Sequence, residues 1–366
     1  MELASRVYDI ITKRENIHPT VEKVIPEIVG DQKMYWRKVL RAAALCHDLG
    51  HIPFSHAAEK ELLPEGEDHE SITVKLISRL DHIWNKITPP LRKQDIQKIA
   101  VGPKKYEDEN LSNWEIILSE IITGDAFGVD RMDYLLRDSH HIGVAYGEFD
   151  HYRLIDTLRI LPKEYEDSKE PALGIEKGGI YNAEALLLAR YFMYSQVYMH
   201  PIRRIYDLHL KDFMKEWYNL IANNIEEQQN LTDNQVLTDM YKARTNTKGA
   251  SESAQRIIDR NHFKVLYQRK PSDMKYDPEP GRLIYKAVGE KFGMKNVKYD
   301  KYSQSNSPLE FPVLYKNDNT ILSSVNISDT IEQVPLVSIE NVFVNPEVLD
   351  EAYQWLKENK EDILTN

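Results

Sequence analysis

The stretch "LCHDLGHIPFSH", Leu45 to His56, sets three histidines and an aspartate within ten residues and then breaks the chain at Pro53. It closes the apolar repeat of "YWRKVLRAAALCHDLG", whose spacing of three and four predicts a helix that ends at the His47-Asp48 pair. Neighbouring helical residues point about 100° apart, so one side chain from each flank of the buried face can converge on an ion. An imidazole nitrogen and a carboxylate oxygen suit Mn, Fe, Zn or Mg-like ions. Cys46 is the only cysteine in the chain, which excludes an intrachain disulfide, a thiolate zinc cluster and an iron-sulfur site. A third ligand has to come from elsewhere.

A chain of 366 residues has room for one large domain or two medium ones around a substantial core. Its 42% hydrophobic and 29% charged residues are the balance of a soluble globular protein. The formal charge of -11 argues against nucleic acid as a partner, because binding the phosphate backbone needs a basic face. A small nucleotide needs only a local pocket of Arg and Lys. No apolar run approaches the roughly 20 residues that span a bilayer, and "MELASRVYDI" lacks the pattern of a secretory signal. The expectation is a cytoplasmic protein with no membrane partner.

The fold class expected is mainly α, with a helical domain over 1–242 and a smaller α+β region over 243–366. In "ELASRVYDIIT" Leu3, Val7, Ile10 and Ile11 share one side, and "GEDHESITVKLISRL" opens on acidic residues before an amphipathic repeat. "NWEIILSEIITGDAFGVDRMDYLLRDSHHIGV" reads as two helices around Gly124 to Gly128. "NAEALLLARYFMYSQVYMHPIRRIYDLHLKDFMKEWYNLI" reads as one long helix or as a pair kinked near Pro201. Beyond about Ala243, "TNTKGASES", "KPSDMKYDPEPG" and "SQSNSPLE" supply turns. "EFPVLYK" and "PLVSIENVFVNP" carry a strand pattern, and "PEVLDEAYQWLKENKEDIL" closes as a helix.

"HDLGHIPFSH" resembles the signature of HD-domain phosphohydrolases. With its PFSH ending it is similar to the deoxynucleotide triphosphohydrolase subgroup, which includes the sterile-alpha-motif/HD-domain enzymes and bacterial deoxyguanosine triphosphohydrolases. The likeness returns in "GVDRMDYLLRDSHHIG" and "FDHYRLI", so it extends from about Glu2 to His209. It implies His47, Asp48 and Asp130 as ligands of a divalent metal, although "VDRMDY" alone would make Asp130 an ordinary helix N-cap. It implies His51, one turn after His47, facing a bound phosphate. It also implies His69 of "EDHES" as a second active-site histidine, oriented by Glu59. A carboxylate beside a histidine raises its pKa and fixes its tautomer, as a general acid requires.

Arg131, Tyr134 and Asp138 fall at i, i+3 and i+7, and the resemblance implies phosphate contact, stacking near a sugar and a hydrogen bond to its hydroxyl. Leu135 and Leu136 are expected in the core. Arg190, Tyr194 and Tyr198 are spaced by four, and the resemblance implies a phosphate-binding Arg190 and a sugar-proximal Tyr198. A tyrosine stripe by itself is more often core or interface. His56 is open between a structural role near Pro53 and a direct one, while His140, His141 and His151 are assigned to packing or surface.

The subgroup's metal site begins with a further histidine in a segment like H-S-x-G-x-M-x-L-A. "MELASRVYDII" resembles its tail, which places that histidine before Met1 and outside this chain. Either the chain starts inside a longer protein, its N-terminal part missing, or three protein ligands and water hold the metal. His18 in "ENIHPT" could substitute but reads as a solvated loop residue. On this alignment the chain as given is expected to be weakly active or metal-free. The function expected is a metal-dependent phosphohydrolase that splits a deoxynucleoside triphosphate into nucleoside and inorganic triphosphate. The resemblance also implies a homo-oligomer and a nucleotide effector, with Arg153 at an effector position and Pro201 where a lysine is usual. The alternative from another class is a catalytically weak nucleotide sensor on the same fold; a nuclease fits the metal but not the charge.

Overall fold

Apolar residues recurring at three and four become buried helix faces in the computed structural model, which describes residues 1–28, 32–57, 59, 63, 66–106, 110–163, 170–221, 231–245, 251–304 and 309–365. Parts of two expected turn stretches, 246–250 and 305–308, lie outside the described residues. The protein is mainly α, with a smaller α+β region toward its C-terminus. Seven strands are present among the described residues: β1 (Leu158–Pro162), β2 (Pro171–Glu176), β3 (Lys264–Gln268), β4 (Val297–Ser303), β5 (Pro312–Tyr315), β6 (Thr320–Ser323) and β7 (Ser338–Val344). The chain condenses into two compact units of interleaved segments.

The first unit comprises Met1–Gly50, Glu67–Met193 and Asn306–Pro335. Its helices are α1 (Glu2–Ile11), α2 (Gln32–Cys46), α3 (His69–Arg79), α4 (Lys93–Val101), α5 (Asn113–Thr123), α6 (Val129–Ile142), α7 (His151–Asp156) and α8 (Ile180–Met193). Tyr8 of α1 meets Trp114 of α5 edge to face with ring centroids 5.9 Å apart, and its hydroxyl donates to the Lys33 carbonyl at 2.6 Å. Around that pair α2 buries Trp36, Val39, Leu40 and Ala43, and α5 buries Ile117, Leu118, Ile121 and Ile122. Reciprocal side-chain caps start two of the helices, Asp68 with Ser71 for α3 and Ser112 with Glu115 for α5.

The half expected to be helical also holds two strands. β1 and β2 pair antiparallel, Leu158 opposite Ile175. β5 then joins β2 in parallel and turns back into β6, giving the order β1-β2-β5-β6. Every residue of β1 is buried, so no alternation marked it as a strand. The β5–β6 turn uses Asn319 at φ 57°, a conformation asparagine tolerates.

The second unit comprises His51–Gly66, Tyr194–Ser305 and Leu336–Asn366. Its sheet has the order β3-β7-β4, all antiparallel. Against it pack α12 (Pro280–Phe292) and α13 (Leu349–Thr365) through Ile284, Val288, Ala352 and Leu356. A second cluster joins α9 (Pro201–Ile221), α10 (Asp233–Ala243) and α11 (Ser251–Ile258) through Phe213, Trp217, Val236, Met240 and Ala254. The kinked reading of the long helical stretch holds, because a π-helical turn over Tyr194–Tyr198 separates α8 from α9 and Pro201 opens the latter.

Lys98 Nζ lies 3.2 Å from Glu115 Oε1 with both side chains only 9% exposed. Lys98→Met would strand a buried carboxylate, and denaturant unfolding should register a loss of about 3 kcal/mol.

His209 is 1% exposed, and its Nε2 accepts the Phe263 N–H at 3.1 Å, which requires the neutral ring. Burial first, then the positive charges of Lys298 and Arg256, push it down to about 3 from an ordinary 6.5. The unfolded chain therefore takes up this proton between those values and the native chain does not. The contribution of His209 to stability is complete above pH 6.5 and is lost as pH falls toward 3. Melting temperatures should drop less between pH 7 and pH 4 for His209→Gln than for the wild type.

Candidate metal centre

The buried face of α2 ends at Cys46, and His47 to Gly50 form a turn directly after it. Gly50 lies against the first turn of α3: a Cβ on it would stand 1.9 Å from the His69 carbonyl oxygen. Only glycine allows that approach. Two hydrogen bonds hold the turn there, from Gly50 N–H to Thr73 Oγ1 at 2.9 Å and from Thr73 Oγ1 to the His47 carbonyl at 3.1 Å.

The third residue arrives from the break between α5 and α6. Gly128 is packed so closely that a Cβ would meet the carbonyl oxygens of Gly124 and Ile122 at 2.7 and 2.8 Å. Gly128 is also the N-cap of α6, and no side chain caps that helix. Asp130 is therefore not the cap; its carboxylate points across to α2. Arg131 secures the break from the other side, its guanidinium donating to the carbonyl oxygens of Gly124, at 3.3 Å, and Asp125.

His47, Asp48 and Asp130 thus offer three ligand atoms within 4.8 Å of one another. His47 Nδ1 faces the Ala44 carbonyl at 3.2 Å, which makes Nδ1 the protonated nitrogen and leaves Nε2 with its lone pair. That Nε2 is buried, has no hydrogen-bond partner, and lies 3.5 Å from Asp48 Oδ2 and 3.3 Å from Asp130 Oδ1. One imidazole nitrogen and two carboxylate oxygens therefore converge on a common point. A divalent cation with nitrogen and oxygen preference satisfies all three, so the residues fit the ion that an HD motif implies. Burial lowers the His47 pKa, but Asp130 and Asp48 outweigh it and the net shift is upward. Asp48 is half exposed, which leaves the site open to a ligand.

Other candidates lie around this centre in the first unit. Tyr134 and Asp138 follow Asp130 along the half-buried border of α6, between the buried Met132, Leu135 and Ser139 and the exposed Asp133 and Arg137. Leu136, expected in the core, lies on the same border and is half buried. Arg190 is half buried in the last turn of α8. His69 is the first residue of α3, its Nδ1 3.5 Å from Glu70 Oε2. His18 is not a ligand here: its Nδ1 accepts the Thr20 N–H at 3.3 Å and caps a single helical turn.

In the second unit, His51 Nδ1 is 3.0 Å from Ser55 Oγ and its ring meets that of His56 at 4.8 Å. Glu59, expected to orient His69, has its Oε2 3.1 Å from His56 Nδ1. Phe54 and Ser55 both sit at positive φ, 59° and 53°, a strained pair for side chains of this kind. Tyr198 meets Tyr194 edge to face at 5.2 Å.

Sequence reasoning passed over Thr73 and Gly50. Thr73 has no signal of its own, since a threonine in an amphipathic helix reads as filler. Gly50 could have been found as a glycine directly after a metal-binding pair, where a turn has to pass close to another backbone.

The HD domain family matches residues 33–137, from α2 through most of α6, and the HD associated region family matches residues 149–296. The chain carries an HD domain. Its match to Uncharacterized protein YwfO of Bacillus subtilis (strain 168) is 36% identical over 171 residues, 46% of this chain and 34% of that protein. Human deoxynucleoside triphosphate triphosphohydrolase SAMHD1 is 28% identical over 272 residues, 64% of this chain and 42% of that protein. The chain therefore spans between a third and a half of the length of these curated relatives. A solved structure of a hypothetical protein from Aquifex aeolicus is 27% identical and superposes with a TM-score of 0.69 over 97% of this chain and 93% of that one. No helix among the described residues of this HD-domain chain is long and apolar enough to cross a membrane.

Asp130→Asn should weaken Mn²⁺ binding by calorimetry more than about tenfold, because even an outer contact of a metal ligand is worth that much.

Proposed function

We propose that this chain is the catalytic part of a metal-dependent phosphohydrolase that acts on deoxynucleoside triphosphates and releases nucleoside and inorganic triphosphate. One observation carries the reading: the buried, hydrogen-bond-free Nε2 of His47 facing the carboxylates of Asp48 and Asp130 inside an HD match. The similarity to deoxynucleoside triphosphate triphosphohydrolase SAMHD1 supports the choice of substrate class.

His47, Asp48 and Asp130 hold the cation. When bound, it supplies Lewis-acid polarisation of a phosphoryl oxygen and a lowered pKa for water. Arg131 and Arg190 neutralise the polyphosphate, where the electrostatic stabilisation of phosphoryl transfer is concentrated. Water attacks the α-phosphorus and releases a proton to solvent, the bond from phosphorus to the 5′-oxygen breaks, and His69 gives its proton to that oxygen and is reprotonated from solvent. Tyr134 stacks near the sugar and Asp138 accepts from its hydroxyl. The roles that the resemblance gives His51, Glu59 and Tyr198 belong to the same proposal, as do a homo-oligomeric state, a nucleotide effector and a cytoplasmic location.

Purified protein given each deoxynucleoside triphosphate with Mn²⁺ should yield triphosphate, slowly where His47, Asp48 and Asp130 hold the cation without a further histidine; monophosphate as product would point to a different phosphohydrolase, and nucleotide binding without turnover, even in a chain extended before Met1, to a sensor. His69→Ala should abolish turnover while nucleotide affinity stays within about threefold, a change of under 1 kcal/mol.

A further inference from the structure

Thr73 lies in the middle of α3, 0% exposed, and is neither charged nor a metal ligand. Its hydroxyl nonetheless makes both bonds that tie the ligand-bearing turn to the helix. It accepts the Gly50 N–H at 2.9 Å and donates to the His47 carbonyl at 3.1 Å, so one oxygen bridges the two ends of the segment His47-Asp48-Leu49-Gly50. A four-residue turn would ordinarily close through a bond between its own ends, the first carbonyl accepting from the last N–H. Here a side-chain oxygen is inserted between them, and its position sets how far the turn opens. The angle at which His47 and Asp48 leave the backbone follows from that opening.

The same helix fixes a second distance. Gly50 packs on the His69 carbonyl, one turn before Thr73, so moving the turn against α3 would move the His47-Asp48 pair relative to His69 as well. No other side-chain hydrogen bond to the backbone of His47 or Gly50 is present among the described residues.

We infer that Thr73 is a positioning residue for the metal centre: its hydroxyl, not its volume, holds His47 and Asp48 at the opening in which both face Asp130. The inference rests on the metal-binding reading of the preceding subsections and adds to it a residue that never touches the ion. A supporting group of this kind is worth about 10- to 100-fold in metal affinity when lost. Valine has the shape of threonine without the hydroxyl, and serine has the hydroxyl without the methyl group.

The test is Mn²⁺ calorimetry on the full chain as wild type, His47→Ala, Thr73→Val and Thr73→Ser, each first shown by circular dichroism to be folded at the titration temperature. The expected result is a wild-type site that His47→Ala abolishes, a loss of tenfold or more in Thr73→Val, and affinity within about threefold of wild type in Thr73→Ser. A structural role for the methyl group alone would reverse that order, with Thr73→Ser the weaker. Thr73→Cys, which differs from Thr73→Ser by a thiol that bonds far more weakly than a hydroxyl, is read against Thr73→Ser if Thr73→Val does not fold. Should the wild type bind and Thr73→Val bind equally, the positioning role is wrong and the metal site stands. Should the wild type show no site sensitive to His47→Ala, the metal reading fails and takes this role with it.

Discussion

Two carboxylates and an imidazole lone pair held within 4.8 Å are the constraint around which the first unit is arranged. Left alone, such a group is unfavourable: like charges repel, and a buried acceptor without a donor costs about 1–3 kcal/mol. It persists because each member is tied from behind. His47 is fixed by the Ala44 carbonyl and the Thr73 hydroxyl, and Asp130 by a glycine break that Arg131 clamps. A convergent arrangement of ligand atoms on a rigid frame is what a cation site requires before the cation arrives.

Much of this centre was legible in the sequence. The His47-Asp48 pair stood at the end of an apolar helical repeat, whereas Asp130 came from the resemblance, since its own surroundings read as a helix N-cap. Helix existence was equally legible where apolar periodicity was clear, and the structure adds side-chain caps at Asp68 and Ser112 to two of those helices. Arg131 shows the limit. The resemblance implied an arginine turned toward phosphate, yet part of its guanidinium is committed to the carbonyl oxygens of Gly124 and Asp125. Local spacing gives the direction of a side chain but not the competition for its donors.

What escaped was non-local. β1 and β2 are short apolar runs, and β1 is buried along its whole length, so neither helical nor alternating periodicity could single them out. β5, the second partner of β2, lies more than 130 residues further on, and no local pattern predicts that a late segment returns to an early sheet. The interleaving of the two units has the same origin. His18 went the other way, a loop histidine in sequence that becomes a helix cap once Pro19 opens a turn behind it.

The claim that a single divalent cation belongs among His47, Asp48 and Asp130 is most directly tested by anomalous diffraction from crystals of this chain soaked in Mn²⁺. The account predicts one strong peak bonded to His47 Nε2 and to an oxygen of each carboxylate. A map with no peak there, with the three side chains still converged and the ion bound elsewhere or nowhere, would contradict it.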